Sequence, residues 1–76
     1  MSHAIEQKWI EYWNELHDLL KTHNTEQLID ENNQTLSLES AQQLIQDEVY
    51  KGNDITFQTE ERNGVTKIKI ITIFTR

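Results

Sequence analysis

The sequence predicts a small α+β domain, and three observations predict it. Two segments carry apolar residues at helical spacing, residues 4 to about 22 and residues 38–51. Asn63 and Gly64 then separate two alternating runs, 55–60 and 65–76. An Asn-Gly dipeptide between alternating runs is the strongest short-range signal for a β-hairpin. No repeat, low-complexity tract or linker divides the 76 residues, so a single domain, 1–76, is expected.

The first helix rests on Ile5, Trp9, Trp13, Leu16 and Leu20, which step by four, four, three and four along one stripe. Tyr12 and Leu19 widen the stripe, and Ile10 falls beside it, where partial exposure is expected. Lys8 with Glu11, and Asp18 with Lys21, are spaced for surface ion pairs. The helix should weaken at residues 22–24. Thr25 is a candidate N-cap for a short helical turn over 26–30, anchored by Leu28 and Ile29. A polar loop over 31–34 follows. Residues 35–38 read either as a short strand or as the approach to the next helix.

That second helix is expected over 38–51. Ser37 is its N-cap and Glu39 sits against its N-terminal dipole. Leu38, Ala41, Leu44, Ile45 and Val49 make its apolar face, and Gly52 just after it signals the C-terminus.

The hairpin can be written pair by pair. With a two-residue turn at Asn63 and Gly64, the numbers of facing residues sum to 127. Arg62 then faces Val65, Glu60 faces Lys67, Gln58 faces Lys69 and Phe57 faces Ile70. Ile55, Phe57, Thr59, Ile68, Ile70 and, beyond the pairing, Phe74 share the face expected against the helices. Thr56, Gln58, Glu60, Lys67 and Lys69 share the other, with Glu60 opposite Lys67 as a charge pair. A one-residue slip would bury the lysines. Ile71 and Ile73 continue the outward series, and two outward isoleucines need an explanation. A β-bulge could turn them inward. A second copy of the chain could cover them, or another segment such as 35–38 could.

Composition excludes several classes of function. There is no cysteine, so disulfides, thiolate nucleophiles and cysteine zinc sites are absent. A reducing cytoplasm fits that composition. No apolar run approaches the roughly 20 residues of a membrane span. The first residues lack the basic and apolar regions of a secretory signal. The isoleucine, asparagine, glutamine and lysine usage resembles that of an AT-rich bacterial or phage genome. All thirteen acids lie within residues 1–61 against three lysines, a balance of −10, while Arg62, Lys67, Lys69 and Arg76 give the end +4 and the chain −6. An acidic body argues against gripping nucleic-acid phosphates directly.

Candidate chemistry is sparse. His3 lies at the start of the chain; His17 and His23 are six apart, a poor fit to one helical face for a metal. His17 follows Trp13 by four, which predicts ring packing instead. Glu11, Glu15 and Asp18 make a carboxylate ridge expected to be solvated. No Gly-x-Ser-x-Gly elbow surrounds Ser2, Ser37 or Ser40, and two isolated glycines cannot cradle a phosphate. No enzyme, metal, cofactor or small-molecule substrate is therefore expected.

Trp9, Tyr12 and Trp13 are the densest aromatic cluster. The tryptophans belong to the core stripe, while Tyr12 points aside and is a candidate partner contact. Residues 22–50 hold Glu26, Asp30, Glu31, Glu39, Asp47 and Glu48 and no lysine or arginine. The chemistry that remains is recognition: a cytoplasmic, non-catalytic protein that binds and regulates or inhibits a macromolecular partner, expected as a homodimer through Ile71 and Ile73. The alternative is an acidic mimic of nucleic acid, with Glu26, Asp30, Glu31, Asp47 and Glu48 offered to a basic groove.

Overall fold

α1 spans Ser2–Thr22 and α2 spans Leu38–Tyr50; β1 (Leu28–Ile29), β2 (Thr35–Leu36), β3 (Asp54–Arg62) and β4 (Val65–Ile73) complete an α+β fold. The structure is a computed structural model that describes the backbone of residues 2–75 and the side chains of residues 4–75. The His3 side chain and Arg76 lie outside the described residues.

The stripe of α1 folds as its spacing requires. Leu16 is fully buried, and Trp9, Tyr12, Trp13, Leu19 and Leu20 pack partly buried around it. Ile5 and Ile10, at the margins, are exposed. The helix ends where Asn24 turns left-handed, at φ 51°. The Thr25 N–H donates to the Leu20 carbonyl across that turn, a Schellman-type closure.

Within 26–30 the structure has the two-residue strand β1, Leu28–Ile29, not the short helical turn that Thr25 suggested. The Thr25 hydroxyl accepts from the Gln27 N–H at 3.1 Å and donates to the Thr66 carbonyl at 2.6 Å. The Gln27 carbonyl accepts from the Ile68 N–H at 2.9 Å. The chain is thereby held extended beside β4, and β1 pairs with it in parallel, Leu28 with Ile68 and Ile29 with Lys69. Both apolar residues are buried, but on opposite faces of the sheet, because successive strand side chains alternate.

Residues 35–36 also resolve as a strand. β2 returns antiparallel along β1 after a loop organised by Asp30, whose carboxylate accepts from the Asn32 and Gln34 N–H groups. The four strands lie in the order β2-β1-β4-β3.

Ser37 caps α2 by accepting from the Ser40 N–H at 3.1 Å, and Glu39 lies in the first turn. Gly52, at φ 96°, closes the other end with the Asn53 N–H donating to the Glu48 carbonyl. The hairpin register runs unbroken from Arg62 with Val65 to Asp54 with Ile73, as the turn dictates. Both helices cover one face of the sheet. Their core joins Leu16, Ala41, Ile45 and Val49 to Leu28, Ile55, Ile68 and Ile70. Phe57 is half-buried, whereas Thr59 and Phe74, placed by alternation on the same face, are exposed.

Candidate functional site

The face of the sheet turned away from the helices carries the candidate site. Strand alternation brings Glu60 and Arg62 of β3, Val65, Lys67, Lys69, Ile71 and Ile73 of β4, and Ile29 of β1 onto it. Along β4 the face divides in two. The half near the Asn63-Gly64 turn is charged, and the far half is apolar.

At the charged end, Ile29, Asn33, Glu60, Arg62, Val65, Lys67 and Lys69 line a cavity of about 320 Å³. Ile29 belongs to its wall rather than to the helix-facing core. Asn33 reaches it from the loop between β1 and β2, where a φ of 65° reverses the chain. The expected charge pair is shifted by one step: Glu60 faces Lys67 in the register, yet it bonds Lys69 at 2.9 Å. The diagonal partner lies within reach of a long side chain across an antiparallel pair. Lys69 is the less exposed member, at 16% against 43% for Glu60.

At the apolar end, the unbroken pairing through Asp54 and Ile73 leaves no bulge to rotate Ile71 and Ile73. Residues 35–36 do not cover them either, since β1 stands between β2 and β4. Ile71 is half-buried, and Ile73 is 46% exposed. Phe74 follows at 71% exposure. β1 pairs with β4 only as far as Lys69, so among the described residues 71–73 have a strand neighbour on one side, β3.

The remaining candidates lie elsewhere. Tyr12 is part of the fold: its ring packs at the core margin and its hydroxyl donates to the Asp54 carboxylate at 3.2 Å. Lys8 makes an ion pair with the same carboxylate rather than with Glu11. The Lys8 ammonium holds Asp54 below the usual carboxylate range, and Asp54 raises Lys8 in turn, each chiefly through their shared hydrogen bond.

Three of the five acids proposed as a phosphate mimic are engaged locally. Asp30 organises its loop, Asp47 accepts from the Gln43 amide, and Glu48 accepts from the Asn53 amide and pairs with Lys51. Glu26 and Glu31 are exposed, with no such partner among the described residues. His17 stacks edge-on against Trp13 at 4.7 Å, as its spacing predicted. Among the described residues no group of three His, Cys, Asp or Glu side chains could hold a metal ion. No helix among the described residues is long and apolar enough to cross a membrane.

None of the cavity residues is a site candidate in the sequence reading: Glu60, Lys67 and Lys69 are read there as a polar hairpin face, and nothing connects them with Ile29 and Asn33. The only signal for Ile29 and Asn33 was an apolar pair followed by an Asn-rich loop, a pattern shared by helix and strand. Comparison with protein-family models, curated proteins and solved structures finds no match to this chain.

Proposed function

We propose that the protein is a small, non-catalytic interaction module of the cytoplasm that forms a homodimer and binds a macromolecular partner, regulating or inhibiting it. The observation that carries this reading is the outward placement of Ile71 and Ile73 on an unbulged strand. Exposed apolar side chains at a strand end paired on one side only invite a second chain, which removes apolar area from water at roughly 25 cal/mol per Å². A domain of this size also gains more from association than a large one, because its own core is thin. The absence of cysteine fits the cytoplasmic setting.

Light scattering tests self-association. The wild-type protein is expected at twice its 9.0 kDa chain mass, and Ile73→Lys at once that mass. A wild-type mass of one chain sinks the dimer. Affinity capture from the native host then identifies the partner.

A further inference from the structure

The charged cavity occupies the turn-side half of β4, from Val65 to Lys69, and Ile73 lies four residues, about 13 Å along the strand, beyond its near edge. The cavity is formed by other side chains than Ile71 and Ile73. Its chemistry is unusual for this chain. The body of the protein is strongly acidic, yet the cavity gathers three of its cations, Arg62, Lys67 and Lys69, against one acid, Glu60. The Glu60–Lys69 pair neutralises itself. Arg62 and Lys67 have no carboxylate within ion-pair distance among the described residues. The cavity thus carries a net +2, with the Asn33 amide on one side and the apolar side chains of Ile29 and Val65 in its wall.

We propose that this cavity binds a phosphate monoester dianion joined to a small apolar group. The charge matches, since a phosphate monoester carries about −1.5 to −2 at neutral pH. The donors match as well. Guanidinium and ammonium groups form short, charge-assisted bonds to phosphate oxygens, and the phosphate can take bonds from Arg62 and Lys67, the two cations without a carboxylate partner. A carboxylate offers two oxygens and one charge, leaving a cation unmatched. The volume lies near the lower end of the roughly 300–1,000 Å³ of small-ligand pockets. Ile29 and Val65 give the organic group an apolar surface.

A nucleic-acid chain fits less well. It would run beyond two unpaired cations onto a body of charge −10, and its affinity depends on many phosphate contacts. The outward positions from Thr56 to Ile73 also hold no aromatic ring on which bases could stack. A compact dianion feels mainly the local site, because at physiological salt charges beyond about 8 Å are screened.

The probe is phenyl phosphate, titrated into the ¹⁵N-labelled full chain and followed by NMR. Saturable shifts are expected at the amides of Ile29, Asn33, Arg62, Lys67 and Lys69. Phenyl sulfate, a monoanion of similar shape, should bind several-fold more weakly. Lys67→Gln and, separately, Arg62→Gln should each weaken phenyl phosphate about tenfold, while Lys51→Gln leaves it unchanged. Two variants guard against one that fails to fold, which its own spectrum reveals.

A phosphoserine peptide distinguishes the source. Tighter binding than phenyl phosphate marks a phosphorylated protein as the ligand, and weaker binding marks a small phosphomonoester. The proposal is overturned if phenyl phosphate gives no saturable shifts at these amides, if phenyl sulfate binds equally, or if Lys51→Gln weakens binding as much as Lys67→Gln.

Discussion

Asp54 shows how a single residue can tie the fold together. It begins β3, accepts from the Tyr12 hydroxyl and pairs with Lys8, so one carboxylate fastens α1 to the sheet. Its pKa is held below the ordinary carboxylate value. The stability it contributes is therefore present above its unfolded pKa, near 3.9, and is lost as pH falls through the lower folded value. Lys8 is raised, so its contribution is present below its unfolded value of about 10.5 and is lost as pH rises through the folded one. Asp54→Asn should remove part of the acid-limb dependence of unfolding below about pH 4, measured by urea denaturation across pH. An unchanged acid limb would show that the pairing does not persist in solution. Leu28 makes the corresponding apolar test. It is 1% exposed although it belongs to a two-residue strand. Leu28→Ala should cost about 3 kcal/mol in urea denaturation. A cost below roughly 0.5 kcal/mol, the scale of surface substitutions, would place it outside the core.

Elements differed in how openly the sequence displayed them, and the physical reasons can be named residue by residue. α2 was legible because Ser37, the apolar spacing and Gly52 agree with one another. The hairpin was legible to the single pair because a two-residue turn fixes register, and any slip moves Lys67 and Lys69 to the buried face. β1 was not legible. Two apolar residues cannot display a period, and Thr25 is as suited to a side-chain turn as to a helix cap. What decides is the long-range bond from Thr25 to the Thr66 carbonyl, forty-one residues away in the chain. Thr25→Val should therefore loosen β1 selectively, with faster hydrogen exchange at Gln27 and Ile68 and little change in α2. Gly64, at φ 80°, tests the turn. Gly64→Ala meets no steric neighbour, yet the left-handed backbone should cost it about 1 kcal/mol of stability, read from a lower urea midpoint.

At the scale of the whole molecule, the two helices cover one sheet face and leave the other uncovered by either helix. The site was only partly readable in advance. The outward isoleucines followed from register alone, but the cavity needed Ile29 and Asn33, which reach it only because β1 lies beside β4. The two sheet margins are also treated differently. β3 carries Asp54, Glu60, Glu61 and Arg62, charges that discourage another strand from adding there. The end of β4 carries Ile71, Ile73 and then Phe74, with no charge among the described residues beyond Lys69. That contrast favours the end of β4 as the surface for the proposed self-association. The most direct test mixes isotopically labelled and unlabelled protein and records only nuclear Overhauser effects between chains. Ile71 and Ile73 methyl groups should show contacts to a second chain. A complete intrachain set for both methyls, with no contact between chains, would contradict the account.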